Sequence, residues 1–516
     1  MLITELLAQN ARMYGTEIAL VERAPAVGGR VEITWGEFDE QANRVANWLM
    51  KKGVKKGDKV VHLMMNCIDW LPAYFGILRT GALAVPLNFR FDAPALKRCT
   101  RIAEAKVFLF AEEFIERVDS IKDELHSVES FVFLGEEKLR PPYAESFRTL
   151  LASSDGSAPG IGLDPSDDAA LYFTSGTTGD PKAILLTHGN LESACYVENG
   201  HHQQTHEDNF LCIPPLYHTG AKMHWFGNLL VGAKAVILKG VEPRWILEAV
   251  SEEKVTIVWL LVPWAIDILF AIQSGEVDLG DYELGQWRLM HIGAQPVPPS
   301  VIKEWKKVFP HHRYDTNYGL TESTGPGCVH LGMGNMHKVG AIGVPGLGYE
   351  IRVVDSANNP VENGAIGELA VKGPGVMKGY FKNPEATAEV LKEGWLLTGD
   401  MARRDEEGFL WLVDRKKDII ITGGENIYPV EIEDFLQDHP DIQDAAVIGL
   451  PSLRLGEIAA AVVQVKPGRE LTLEEINRFC EGLPRYKRPR RILFGQVPRN
   501  PTGKIEKPKL RKLYEA

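Results

Sequence analysis

The densest run of chemistry-bearing residues is Leu171-Tyr-Phe-Thr-Ser-Gly-Thr-Thr-Gly-Asp-Pro-Lys182, an apolar strand end leading into hydroxyls, two glycines and one lysine. Glycines let a backbone approach a ligand and turn its N–H groups inward, Ser and Thr hydroxyls donate to oxyanions, and the lysine adds charge. This is the composition of a polyphosphate cradle, although a plain Ser/Thr/Gly turn shares it. It is not the GxxxxGK[ST] loop, because Pro181 precedes the lysine and Ala183 follows it. Three further residues could serve charged chemistry: Glu322, Asp400 behind a glycine, and Lys504 in Pro501-Thr-Gly-Lys504. In isolation they read equally as a helix-end carboxylate, a turn cap and a solvated lysine.

Positioning such residues takes a large scaffold. The chain has 516 residues, which implies several packed domains, and 45% hydrophobic with 24% charged residues is ordinary for a self-folding globular protein. A net charge of −12 argues against general nucleic-acid binding and against an anionic membrane surface. Residues 481–516 are nonetheless locally basic, a patch that serves either as solvated surface or as a receiver of small polyanions. The six cysteines include no CxxC pair and read as free thiols of a reducing compartment. The N-terminal segment lacks the features of a signal peptide, which points to the cytoplasm. The apolar stretch 255–272 contains Pro263 and Asp267, so a buried strand turning into a buried helix fits it better than a membrane span.

Thr34-x-x-Glu37 is a capping box ahead of apolar residues at helical spacing, and Lys59 to Met65 reads as a buried strand. Similar alternation at 71–86, 106–110, 235–238 and 249–262 predicts parallel sheets covered by helices. From about Gly340 the texture changes to short β-rich pieces punctuated by glycine, a small barrel or distorted sheet. After Asp414 a self-contained pattern resumes: helix 430–437, strands 445–450 and 459–465, and helix 473–480 behind a second capping box, Thr472-x-x-Glu475. The domain boundary is expected near 415, giving units 1–415 and 416–516.

YFTSGTTGDPKA resembles the phosphate-binding signature of the adenylate-forming superfamily, which includes acyl-CoA synthetases, adenylation domains of peptide synthetases, and luciferases. PPLYHTGA (214–221), HIGAQPV (291–297), NYGLTES (317–323), GWLLTGD (394–400), DRKKDIIITGGENIYPVEIE (414–433) and PRNPTGKIEK (498–507) follow in order, so the resemblance spans the chain. Ala183 departs from it, standing where the family most often has a second glycine. The implied fold is α/β, with a large N-terminal domain of two α/β sheet subdomains plus a small β-barrel, and a small mobile α+β C-terminal domain.

The resemblance assigns Thr174, Ser175, Gly176, Thr177, Thr178, Gly179 and Lys182 to ATP phosphates, and Thr174 with Glu322 to Mg²⁺. Tyr318, within Asn317-Tyr-Gly-Leu-Thr321 (Gly319 and Leu320 included), would stack on adenine, with Gly293, Ala294 and Gln295 on its other face. Asp400 and Arg415 would hold the ribose. Lys504 would bridge the attacking carboxylate and the α-phosphate, Lys417 would be the hinge, and Gly423, Gly424 and Glu425 would line a coenzyme A tunnel gated by His218. The acyl pocket would involve His218, Trp225, Trp259 and Gly293; its bulk suggests a compact cyclic, aromatic or medium-size acid, with Trp264 better explained as core.

The implied reaction is acid plus ATP to acyl-AMP, then acyl transfer to coenzyme A. The alternatives are a medium- or long-chain fatty acyl-CoA ligase, an enzyme loading a carrier protein's phosphopantetheine, a non-catalytic relative, and luciferase-type oxidation. The partners expected are a small carboxylic acid and coenzyme A, with a homodimer possible.

Overall fold

The computed structural model describes residues 1–173, 181–295, 297–423, 425–499 and 505–514, apart from the side chain of Pro326. Both predicted capping boxes form. Thr34 accepts from the Glu37 N–H while Glu37 reaches back to the Thr34 N–H, opening the helix Trp35–Lys51, and Thr472 and Glu475 do the same ahead of Leu473–Phe479. The ambiguous stretch 255–272 becomes the strand Ile257–Leu261 and the helix Val262–Gln273, with Pro263 in the first turn, where a missing N–H costs nothing. No helix among the described residues is long and apolar enough to cross a membrane. All six cysteines are free thiols, five of them buried.

Two sheets organise the larger part. One has eight strands and runs from Gly379–Tyr380 through Ala183–Thr187, Asp168–Phe173, Leu83–Pro86 and Lys59–Leu63 to Val107–Ala111, Ser130–Leu134 and Ala144–Ser146. It is parallel from Asp168–Phe173 to its far edge and antiparallel at the end that carries Ala183–Thr187 and Gly379–Tyr380. The other has seven strands in the order Arg313–Asp315, Leu289–Gly293, Ile257–Leu261, Asn209–Cys212, Lys234–Leu238, Ile18–Ala24 and Gly29–Thr34. Only its last strand is antiparallel. The helices Trp35–Lys51, Trp70–Arg79 and Thr219–Val231 bury their apolar residues in one core that also takes side chains from both sheets.

The connection order of the seven-stranded sheet reverses between Asn209–Cys212 and Ile257–Leu261. The crevice beyond the carboxyl ends of strands at such a reversal is where open α/β sheets bind ligands. His218, Trp259 and Gly293 all fall near it in the chain.

The β-rich stretch after Gly340 forms a five-stranded antiparallel sheet, Glu350–Val354, Ile366–Lys372 and Trp395–Arg404 with Leu391–Lys392 and Leu410–Arg415. A single bridge between Gly343 and Leu410 joins it to the strands Asn317–Leu320, Gly325–His330 and Val344–Pro345. Beyond Arg415 the chain changes sheet. Ile420–Thr422, Glu425–Ile427, Ile442–Ser452, Gly456–Val465 and Arg491–Phe494 pair among themselves, and the helices Pro429–Gln437 and Leu473–Phe479 bury residues in a core of their own.

Candidate active site

The strands on either side of the phosphate-loop sequence pair with each other, Phe173 opposite Ala183. Thr174, Ser175, Gly176, Thr177, Thr178 and Gly179 lie outside the described residues, as do Gly424 and Lys504. At the base of the hairpin the Lys182 ammonium sits 4.9 Å from the centre of the Tyr380 ring, and the Tyr380 hydroxyl donates to Glu322 Oε1 at 3.1 Å. Burial first, then the Glu322 charge, push the Tyr380 phenol up, so it stays a donor. Glu322 is thereby brought beside the hairpin, its backbone carbonyl bonded to the Met377 N–H at 2.8 Å. A half-buried carboxylate here suits a hard divalent cation, which takes oxygen ligands and keeps some of its water.

The surroundings of Asp400 are equally local. Asp400 and Arg415 are register partners on adjacent strands, and the Arg415 Nε lies 3.3 Å from Asp400 Oδ1. The Tyr318 hydroxyl donates to Asp400 Oδ2 at 2.6 Å, so the aromatic ring and the carboxylate are tied together. Paired acceptors of this kind match two vicinal hydroxyl donors. Asn317, Gly319, Leu320 and Thr321 are half-buried around Tyr318, and Thr321 touches the Thr219 hydroxyl at 3.3 Å. Across from them Gly293 ends its strand and Ala294 adopts φ +69°, a left-handed conformation that L side chains rarely take. Lys417 follows two residues after Arg415, its pKa lowered by burial first and then by Arg415.

The acyl-side residues divide. Trp259 stacks on His224 with ring centres 4.2 Å apart and 20° between planes. A Cβ on Gly220 would come within 3.0 Å of the Trp259 indole, and one on Gly293 within 3.8 Å of its Nε1. His218 stands at the N-terminal end of the helix Thr219–Val231 and packs on Tyr217 at 4.5 Å. Trp225 does not join them: fully buried, it meets Phe38 and Phe75 in the central core, and its assignment to the acyl pocket is corrected. The reason is helical geometry, because one residue turns the side chain by about 100°, so His224 faces the crevice and Trp225 the core. Trp264 packs against both large cores, as expected of a structural side chain.

Gly423, at φ +59°, turns the hairpin between Ile420–Thr422 and Glu425–Ile427 in the C-terminal sheet. One contact the motifs did not signal joins this part of the chain to the crevice. Arg499 donates to Gln295 Oε1 at 3.1 Å while pairing with Asp444 at 2.7 Å. The basic patch is also less available than its count suggests. Lys487 pairs with Glu431, Lys507 with Glu433, Lys509 with Glu506 and Arg511 with Asp418.

The AMP-binding enzyme family matches residues 7–381, and the AMP-binding enzyme C-terminal domain matches residues 431–504. The chain belongs to the AMP-binding enzyme family. This AMP-binding enzyme is 33% identical over 490 residues to a feruloyl-CoA synthase of an Amycolatopsis species, covering 94% of this chain and 95% of that one. It is 32% identical over 516 residues to the medium-chain fatty-acid–CoA ligase of Escherichia coli, covering 98% and 89%. Its structure resembles that of the anthranilate CoA ligase AuaEII in complex with anthranoyl-AMP, with a TM-score of 0.89, 26% identity and coverage of 99% and 97%. With acid–CoA ligases matching along its length, this AMP-binding enzyme is an ATP-dependent acid–CoA ligase.

What the motifs missed in this enzyme is a buried polar cluster behind Trp259. Most of the 14 histidines fall between His188 and His337, a bias that was the available signal. His224 donates from Nδ1 to the Gly220 carbonyl at 2.6 Å, and its Nε2 lies 3.0 Å from both His291 Nε2 and Asn317 Nδ2. Burial holds the His224 pKa down at about 4. The chain continues through His291, His202, Asp315 and His330 to Glu198, every one fully buried.

Proposed function

We propose that this acid–CoA ligase activates a compact cyclic or aromatic carboxylic acid and transfers it to coenzyme A. The observation that carries the acyl assignment is the Trp259–His224 stack at the strand-order reversal, held against Gly220. An indole there occupies the depth an extended chain would need. The feruloyl and anthranoyl groups named for two of the similar proteins are aromatic acyl groups, which supports the same reading.

In the first half-reaction the carboxylate, already ionised at pH 7, attacks the α-phosphorus of ATP and expels pyrophosphate. The loop residues Thr174, Ser175, Thr177 and Thr178 would hold the phosphates with Lys182. Lys504 would neutralise charge as the in-line transition state forms, an effect worth about 3–4 kcal/mol. Tyr318, Asp400 and Arg415 would fix the nucleoside, so that the α-phosphate is presented in one orientation. Thr174 and Glu322 would hold Mg²⁺, which supplies charge neutralisation on the phosphates. In the second half the C-terminal domain would turn about Lys417, exchanging Lys504 for the Gly423–Glu425 hairpin beside the thiol path at His218, and excluding water from the mixed anhydride. Free thiols in all six cysteines suit a reducing cytoplasm.

The test is pyrophosphate release with benzoate, cyclohexanecarboxylate, hexanoate and palmitate, each with and without coenzyme A. The expected outcome is highest kcat/KM for a cyclic acid and consumption of the adenylate by free coenzyme A. Highest kcat/KM for palmitate would overturn the acyl assignment, and an adenylate that free coenzyme A leaves intact would favour a carrier-protein acceptor.

A further inference from the structure

Behind the acyl wall, four side chains with no exposure to solvent converge from separate elements: Glu198 and His202 from the helix His188–His202, Asp315 from the edge of the seven-stranded sheet, and His330 from the strand Gly325–His330. Asp315 Oδ2 lies 3.0 Å from His202 Nε2 and 3.1 Å from His330 Nδ1, and one ligand atom from each of the three residues falls within 4.8 Å of the others. The other Asp315 oxygen is already satisfied, accepting the N–H groups of Thr316 and Gly332 at 2.8 Å each. The carboxylate therefore presents one oxygen to the two imidazoles.

Glu198 stands on the opposite side of both rings. Its Oε2 is 3.3 Å from His202 Nδ1 and its Oε1 is 3.7 Å from His330 Nε2, yet neither oxygen and neither of those nitrogens meets hydrogen-bond geometry with any described residue. A carboxylate that faces the far nitrogens of two histidines is the arrangement that orients metal-bound imidazoles, holding a proton on the outer nitrogen; His202 Nε2, which also lies 3.1 Å from His291 Nδ1, would give up that contact to coordinate. Two carboxylates sealed from water need compensating positive charge, which protonated histidine supplies in the empty cluster and which a dication would supply on displacing those protons. Adjacent ligand atoms about 3 Å apart subtend roughly a right angle at an ion about 2.1 Å from each, the bond length of first-row divalent metals.

We infer that His202, Asp315 and His330 form a site for a divalent transition ion of the zinc or cobalt type, with Glu198 as the carboxylate that orients the two histidines. The chemistry of the donors separates it from the Mg²⁺ position at Glu322, because imidazole nitrogens favour zinc-like ions and carboxylate oxygens favour magnesium. A surface cleft reaches His201, the neighbour of His202. His201 stacks on His330 with ring centres 4.1 Å apart, and it lines a cleft of about 530 Å³ with Gly200, Gln203, Arg313 and Gly332 to Gly334. The ion would tie the end of the helix His188–His202 to two strands.

The test is Co²⁺ titration of the full-length, chelator-dialysed protein in excess Mg²⁺ without nucleotide, read by visible absorption and by X-ray absorption at the cobalt edge. The expected result is about one tightly bound equivalent with imidazole nitrogens and carboxylate oxygen in its shell. Glu198→Gln should weaken Co²⁺ binding about 10- to 100-fold with the fold retained by circular dichroism, and His330→Gln should abolish it. No tight binding, a shell of oxygen alone, or a folded His330→Gln protein that binds as the wild type does would overturn the site and leave a metal-free ion network. The wild-type edge spectrum decides the matter even if neither variant folds.

Discussion

Where Asp400, Tyr318 and Arg415 meet within 2.6 to 3.3 Å, Asp400 and Tyr318 are buried but the Arg415 side chain keeps 43% of its surface in solvent. Behind Trp259, Glu198, His202, Asp315 and His330 are as close to one another but wholly sealed. Burial by itself would push the two sealed carboxyls up, but the neighbouring histidines hold both well below the ordinary carboxylate range. The same partners outweigh burial at His330 and raise it to about 9. The difference teaches where polar groups are waiting and where they are already spoken for. A group left half in water is available to a ligand at little cost to the fold, whereas a sealed charge must be balanced internally, so its removal is felt as stability.

That contrast is most directly broken at Asp315. Asp315→Ala strands two buried imidazoles and should cost about 3–5 kcal/mol in urea unfolding; a variant as stable as wild type would mean the sealed cluster is not a structural unit. Lys504→Ala should lower adenylate formation by roughly two to three decades. Its transfer of synthetic acyl-AMP to coenzyme A should be largely kept, and its melting temperature unchanged. Loss of both halves together would remove the two-step division of labour. Asp400→Ala should raise KM for ATP about 10- to 100-fold, the loss of charge-assisted hydrogen bonds, with a smaller effect on unfolding than Asp315→Ala.

Trp259→Leu sits between the two regimes. It should move the kcat/KM ratio of hexanoate to benzoate upward by roughly tenfold, the scale of discrimination by pocket size; an unchanged ratio would place the acyl wall elsewhere. The smallest effect is expected at Asp414, whose carboxyl burial pushes up to about 6, with Lys507 opposing. A carboxyl whose folded pKa lies above its unfolded value adds stability at low pH that is lost as pH rises from about 4 through 6. Asp414→Asn should flatten the stability profile in that window, measured by thermal melts across pH.

Much of the scaffold was legible because local rules agreed with tertiary ones. The capping boxes at Thr34 and Thr472 form as written, and Pro263 ends up where a helix tolerates it. Asp400 and Arg415, grouped together from the sequence, do stand opposite each other, because they lie on neighbouring strands of one antiparallel pair. Trp225 was misread because a run of large side chains says nothing about which face of its helix each takes. The basic C-terminal patch was overvalued because charge counting ignores partners, and Lys487, Lys507 and Arg511 have theirs within the same part of the chain.

The sequence by itself determined the reaction class, since chemistry on phosphates and ribose depends on short segments whose residue order survives folding. It also determined the alternation of helices and strands, which follows from periodicity and caps. Only the tertiary structure decided which histidines meet, because Glu198, His202, His224, His291, Asp315 and His330 are scattered over more than a hundred positions and share no spacing rule. Their convergence comes from strand order, which brings Leu289–Gly293 and Arg313–Asp315 side by side and lays the helix His188–His202 against Gly325–His330. Burial then turns that proximity into a balanced cluster, a property no linear segment carries.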